Sequence, residues 1–284
     1  DVGDESGFED SEGPGALVGD FDNDGGVELL TPGGDERAYD DNTGWTEWSI
    51  PGLSDEDLGD ATDVAIGDLN GDGFTDVIVG SGGGTPNRIL LNDGEGGFLD
   101  PTVIGPEQDL DDTRAITVSD VNNDGTPDIL VGNGPDQPSK IFLGDPATPG
   151  DFSKVPPHII DGSEGDDTRA IDAGDLNGDG IPDVVLGNTN GEDYWYEGVD
   201  DGTGTTTGTG EMVNEQVIGS GGVKDTTGVK VVDVDDNGSK DVVLVFSDAH
   251  DEIVVDGDTV EQLGLKTLNT KDVAIGDVDG DGRL

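Results

Sequence analysis

Short apolar runs alternate with stretches of Asp, Asn and Gly along the chain. Ahead of each acidic stretch the apolar residues fall at every second position: Val64 and Ile66, Ile116 and Val118, Val229 and Val231, Val273 and Ile275. A period of two places one face of an extended chain against a core and predicts a strand. After the acidic stretch comes a continuous Val, Ile and Leu run, such as Val77–Val79 or Val184–Leu186. A second turn leads to a third run, Arg88–Leu91 or Lys140–Leu143, and a weaker fourth strand is expected to begin at an aromatic, Phe98 or Phe152. The helical period appears nowhere. The pattern therefore predicts an all-β chain of four-stranded antiparallel units.

The units recur. VAIGDLNGDGFTDVIVG from Val64 returns as ITVSDVNNDGTPDILVG from Ile116, IDAGDLNGDGIPDVVLG from Ile171 and VKVVDVDDNGSKDVVLV from Val229. An earlier copy reads ALVGDFDNDGGVELL from Ala16, and a last one, VAIGDVDGDGRL from Val273, meets the chain end. The acidic loops start at Asp20, Asp68, Asp120, Asp175, Asp233 and Asp277, with units near 14–60, 61–111, 112–166, 167–224, 225–269 and 270–284. Tandem four-stranded units of about 50 residues point to a single β-propeller domain, in which successive sheets pack around a channel.

Each loop joins the first strand of its unit to the second and carries oxygen-bearing side chains at positions one, three, five and nine. These are Asp20, Asp22, Asp24 and Glu28; Asp68, Asn70, Asp72 and Asp76; Asp120, Asn122, Asp124 and Asp128; Asp175, Asn177, Asp179 and Asp183; Asp233, Asp235, Asn237 and Asp241; and Asp277, Asp279 and Asp281 in the truncated copy. Position six is always glycine, as a chain turning sharply around an ion requires. The backbone carbonyl at position seven, from Phe74, Thr126, Ile181 or Ser239, can then face the ion. All donors are hard oxygens, which favours calcium over zinc or copper, and magnesium resists the dehydration such a cage demands. An EF-hand needs a Glu at position twelve, where these loops have Val79, Val131 or Leu186. A dockerin loop is followed by a helix, whereas β-branched strand sequence follows these. Plain hairpin turns also use Asp, Asn and Gly, but six copies with one spacing do not arise from turn preference alone.

The pattern DxDxDGxxD between two strands, with NRILLNDGEGGF from Asn87 and DYWYEG from Asp193, resembles the FG-GAP and VCBS repeats of integrin α-subunit-like propellers. The resemblance covers nearly the whole chain apart from the first dozen residues and the loop Asp200–Gly210. It implies a propeller, usually of seven blades, with calcium on one face and ligands often on the other. Five full units and part of a sixth are visible, so the chain is expected to be an excerpt of a longer protein.

Composition adds the setting. The chain has 284 residues, 66 acidic and 12 basic, for a net charge of −54. The proposed loops hold 19 of the carboxylates, leaving 47 against the 12 basic residues. Such a surface repels itself in dilute buffer but is screened at molar salt, where the Debye length falls to about 3 Å. It therefore reads as a halophilic protein, with an acidic calcium-binding protein of ordinary seawater as the alternative. Nucleic acid is not an expected partner, since no basic patch exists to replace its counterions. No apolar run is long enough for a membrane helix. Cysteine is absent, which excludes a disulfide scaffold and thiolate ligands.

Enzymatic signals are thin. His158 and His250 sit in no recognisable catalytic spacing and read as loop residues. Tyr194, Trp195 and Tyr196 could stack on a sugar, but strand alternation divides them between two faces and favours core packing. Trp45 and Trp48 carry the same ambiguity. Asp201–Gly210, DGTGTTTGTG, reads as a solvated insertion. Six places before each loop lie Pro14, Thr62, Arg114, Arg169, Thr227 and Lys271. Three of 12 basic residues in six equivalent slots imply convergence at the channel mouth opposite the loops, where Arg114, Arg169 and Lys271 would bind an acidic protein or glycan ligand. The alternative is that they neutralise Asp111, Asp112, Asp166 and Asp167. The expected function is a calcium-stabilised extracellular recognition, adhesion or structural module of a cell-surface, secreted or viral protein. The other class is the propeller body of a carbohydrate-active enzyme such as a polysaccharide lyase.

Overall fold

The structure is a computed structural model that describes residues 17–22, 24–26, 28–31, 37–40, 46–48, 61–105, 110–200, 202, 208–255, 259–263, 270–273 and 275. Among them are twenty strands and no helix. The first unit holds β1 (Leu17–Gly19), β2 (Glu28–Thr31), β3 (Arg37–Asp40) and β4 (Thr46–Trp48). The second holds β5 (Ala61–Gly67), β6 (Asp76–Ser81), β7 (Arg88–Leu90) and β8 (Thr102–Val103). The third holds β9 (Thr113–Ser119), β10 (Asp128–Asn133), β11 (Lys140–Phe142) and β12 (His158–Ile159). The fourth holds β13 (Thr168–Gly174), β14 (Asp183–Gly191), β15 (Tyr194–Asp200) and β16 (Gly208–Val217), and the fifth β17 (Lys224–Val232), β18 (Asp241–Phe246), β19 (Glu252–Val255) and β20 (Thr259–Gln262).

Every unit is an antiparallel meander paired in chain order. The first strands lie side by side, β1 against β5, β5 against β9, β9 against β13 and β13 against β17. That is a propeller-like arrangement, with innermost strands around a common channel. The continuous apolar second strands are the reason the sheets stack: β6, β10 and β18 are buried at every residue. Alternate residues face alternate neighbours, so Val77 and Val79 pack toward the first unit with Phe21, while Ile78 packs toward the third with Ile129 and Phe142.

In its strands and connections the structure departs from the sequence reading. The fourth strands do not begin at the aromatics. Phe98 makes one isolated bridge to Asn92 and Phe152 none, while both are buried plugs, 5% and 1% exposed, and the strands β8 and β12 follow later. Burying a phenyl ring beneath the sheet outweighs continuing a ladder there. The fourth and fifth units are not separate sheets, because the nine-residue β14 extends past its own unit and pairs through Thr189 and Gly191 with β17. The insertion expected to be solvated ends in structure, since Gly208–Gly210 open β16 and Gly208 donates to Asn122 O at 2.7 Å.

A repeated polar joint fastens the third and later units to the one before. Seven places before the loop stands a threonine, where the second unit has Ala61; it is buried in the third, fourth and fifth units as Thr113, Thr168 and Thr226. Each meets a side chain from the turn before the third strand of the preceding unit. Asn87 Nδ2 donates to Thr113 Oγ1 at 2.9 Å, Ser139 Oγ donates to Thr168 Oγ1 at 3.2 Å, and Thr226 Oγ1 donates to Asp193 at 2.8 Å. Thr270 repeats the bond to Asp251 at 2.8 Å. Burial raises Asp193 to about 6 despite its hydrogen bonds. Thr226→Val removes a donor from this buried carboxyl and should cost about 1–3 kcal/mol, read as a lower urea midpoint; an unchanged midpoint would show that the joint is not a stabilising contact.

Candidate metal loops and the channel mouth

The five described loops share one geometry. Position-six glycines Gly25, Gly73, Gly125, Gly180 and Gly238 have φ between 87° and 94°, the left-handed turn expected of them. Position four is left-handed too: Gly71, Asn123, Gly178 and Asp236 have φ of 73°, 53°, 77° and 60°. Position four is confined to Gly, Asn and Asp for that reason, a signal the sequence reading passed over.

Two consecutive left-handed turns direct backbone N–H groups inward onto the loop carboxylates. The position-six amide donates to the position-one carboxylate at 3.1, 2.9, 2.8, 2.8 and 2.8 Å along the chain. The position-five amide donates to the side chain at position three, as Asp72 N does to Asn70 Oδ1 at 3.0 Å. The amides of Phe74, Thr126, Ile181 and Ser239 at position seven donate to position five at 2.9, 2.8, 2.8 and 2.7 Å.

Position nine is the anchor. Glu28, Asp76, Asp128, Asp183 and Asp241 are all 0% exposed. One oxygen of each accepts the amide of position two, from Phe21, Leu69, Val121, Leu176 and Val234. In the second, third and fourth units the other oxygen accepts the amide just after the third-strand run, from Asn92, Gly144 and Gly198. In the first unit the remaining oxygen, Glu28 Oε1, is buried without a partner, and so is Asp20 Oδ1. The carboxylates of Asp20, Asp22 and Glu28 converge to within 4.8 Å, as do those of Asp233, Asp235 and Asp241. Positions one, three and nine thus meet in both loops; the middle units carry Asn70, Asn122 and Asn177 at position three. The sixth loop, Asp277, Asp279 and Asp281, lies outside the described residues.

Carboxylates gathered this way favour a proton or a cation. Burial, then the neighbouring loop acids, raises Asp76 to about 6, Asp128 to about 7 and Asp183 to about 6, and pushes Glu28 up as well. The folded, metal-free protein therefore holds protons that the unfolded chain, with Asp near 3.8, has released. Stability is present below that value and lost as pH rises through about 6–7. In EDTA at fixed molar salt, the melting temperature should fall by several degrees between pH 5 and pH 8. Asp128→Asn should flatten this slope, and a slope of the opposite sign would refute the assignment.

The channel gathers the other predicted residues. Thr62, Arg114, Arg169, Thr227 and Lys271 line one cavity of about 830 Å³ with the first strands; Pro14 lies outside the described residues. Each arginine is paired with the aspartate two residues earlier. Arg114 Nη2 meets Asp112 Oδ2 at 2.5 Å, and Arg169 meets Asp167 through Nε at 3.0 Å and Nη2 at 3.2 Å. The neutralising pairs and the convergence thus coexist. Asp111 pairs instead with Lys140 at 2.5 Å, and in the fourth unit Tyr194 takes the lysine's register position. Asp166, the counterpart of Asp111, keeps a buried oxygen without a partner and is raised to about 6 by burial and Glu215. The hexapeptide DDTRAI at Asp111–Ile116 and again at Asp166–Ile171 carries both pairs, and of the acids expected to be neutralised it is Asp112 and Asp167 that meet the arginines.

The remaining aromatics and histidines have other positions. Tyr196 is fully buried, and Tyr194 and Trp195 pack on opposite faces, so the DYWYEG strand is core. His158 lies in β12 rather than a loop, and His250 Nδ1 is buried without a partner. Trp45 and the side chain of Trp48 lie outside the described residues.

The model of the FG-GAP-like repeat matches residues 68–131, 120–186 and 175–244, which together span more than half of the chain. Among solved structures, the chain resembles an Agrocybe aegerita lectin that specifically recognises non-reducing terminal N-acetylglucosamine, with 18% identity and a TM-score of 0.56 over 89% of this chain and 67% of the lectin. It also resembles the V. cholerae biofilm matrix protein Bap1, with 19% identity and a TM-score of 0.49 over 87% of this chain and 38% of Bap1. The chain thus spans well under half of the latter protein.

Proposed function

The chain belongs to the FG-GAP-like repeat family, and from that premise we propose that it is a calcium-stabilised, non-enzymatic recognition or adhesion module of a secreted, cell-surface or viral protein working in concentrated salt. The observation that carries this reading is the burial of the position-nine acids beneath converging loop carboxylates, with Asp20 Oδ1 and Glu28 Oε1 left without partners. The buried carboxylates Glu28, Asp76, Asp128 and Asp183 need a counter-charge beyond their backbone donors. A hard divalent cation held by positions one, three, five and nine, with the position-seven carbonyl, would supply it. Calcium would neutralise the cluster and lock the turn. The same loop oxygens are tied to the backbone of their own hairpin, which suits a structural ion better than one that polarises a substrate.

The propeller of this reading has six or more blades, the calcium loops on one face and the binding surface on the other. The lectin with a related fold supports recognition as a use to which such a scaffold can be put. The experiment is elemental analysis of the purified protein, followed by a glycan array and a protein pulldown in molar salt, each with and without chelator. Stoichiometric calcium and a ligand lost on chelation are expected. A calcium-free protein, or arrays silent in both conditions, would overturn the reading.

A further inference from the structure

The chain carries 66 acidic residues and 12 basic ones, yet in the channel lining basic residues outnumber acidic ones. Its lining holds four of the basic residues, Arg114, Arg169, Lys230 and Lys271, and two acids, Asp63 and Asp272. Lys230 was not singled out by its spacing; it stands three places before its loop, deeper than the other three. A cavity of about 830 Å³ is the size of a site for a small organic ligand.

The two acids already have tasks. Asp63 Oδ2 accepts Ile116 N at 2.8 Å, and Asp272 Oδ1 accepts Val273 N at 2.7 Å. Inner strands have an unpaired edge facing the channel, and Asp63 caps one of its amides. The arginines, by contrast, keep donors in reserve. A guanidinium offers five N–H groups; Asp112 takes one from Arg114, and Asp167 takes two from Arg169. Arg114 Nε is buried, so the donors it keeps for a ligand are those on its Nη groups. Asp112 is itself fixed by Gly83 N at 3.0 Å from the preceding unit, so the pair holds its guanidinium in place rather than consuming it. Neither Asp112 nor Asp167 lines the channel.

We propose that the channel mouth is a carboxylate receptor, in which Arg114 and Arg169 grip a single carboxylate end group of sugar-acid or amino-acid size, with Lys271 beside them and Lys230 further in. This rests on the recognition reading and names its ligand class. A long polyanion laid across the face would meet the acidic surface, whereas one charged terminus entering the channel meets four cations and two acids that already accept backbone amides. Screening at molar salt removes long-range steering, so the grip depends on contact hydrogen bonds, for which planar guanidinium forks suit a planar carboxylate.

The test is calorimetric titration in molar KCl with calcium held constant. Glucuronate should bind one per chain and glucose should not. Acetylaspartate amide forms a second arm: binding of either carboxylate supports the proposal, and the tighter one names the source. Arg114→Gln with Arg169→Gln should weaken binding at least about tenfold while the melting curve stays sensitive to chelation. Should that variant fail to fold, arginine modification by phenylglyoxal in the unaltered protein decides instead, with Arg114 and Arg169 shielded by glucuronate. Phosphate, sulfate or glucose binding as tightly as the carboxylates, unchanged binding in the folded double variant, or unshielded arginines would overturn the proposal. If carboxylates fail while the arrays report another ligand, only the carboxylate receptor falls; if both are silent, the recognition reading falls with it.

Discussion

Removing calcium should lower the melting temperature by about 15–25 °C in molar salt. Extracellular calcium modules bind at about 10⁻⁴–10⁻³ M, and a tenfold excess of ion contributes about 1.4 kcal/mol per site. Five loops of one geometry then supply about 7 kcal/mol, at about 2–4 °C for each kcal/mol in a domain of this size. The effect is large because the buried acids Glu28, Asp76, Asp128 and Asp183 are met by backbone amides, which carry no full charge, and two oxygens of the first loop are buried without partners. The measurement is a melting curve with and without EDTA, paired with elemental analysis. Coincident curves from a protein without calcium would remove the metal from the account.

Lowering the salt should have an effect of similar size. The protein should stay folded in molar KCl and lose its cooperative transition below a few hundred millimolar, with calcium restoring part of it. The 47 carboxylates outside the loops face 12 basic residues, and several of those are committed locally, Lys224 to Glu252 at 2.9 Å and Lys140 to Asp111. The excess is uncompensated, and its repulsion grows as the Debye length rises from about 3 Å at 1 M to about 10 Å at 0.1 M. Thermal scans across KCl concentrations at constant free calcium measure this. Equal stability at 0.1 M and 3 M would assign the acidity another cause.

Much of this was legible beforehand, for identifiable reasons. The first three strands of a unit were readable because alternation, a continuous apolar run and a fixed loop spacing each leave a local mark. Glycine at position six was readable because only backbone freedom explains it. The fourth strand was misplaced because Phe98 and Phe152 serve burial rather than pairing, and an isolated aromatic looks alike in both roles. Merging of the fourth and fifth units through β14 and β17 depends on how far one strand runs past its partner, which composition does not encode. Position brought out Arg114, Arg169 and Lys271 and the acids beside them, but which acid each arginine takes, Asp112 rather than Asp111 and Asp167 rather than Asp166, needed three-dimensional contact. Lys230 was missed because it occupies a slot filled by other residue types in the other units.

The joint between units has an evolutionary corollary. Its threonine half is constant at Thr113, Thr168, Thr226 and Thr270, while the half it meets varies as Asn87, Ser139, Asp193 and Asp251. A hydroxyl both donates and accepts, so it fits an amide, another hydroxyl or a carboxylate without redesign. A copied repeat that keeps this threonine therefore arrives with a ready connector. Units can be gained or can diverge in their outer loops without losing the bond, whereas the second unit, with Ala61 in the threonine's place, is seated without it.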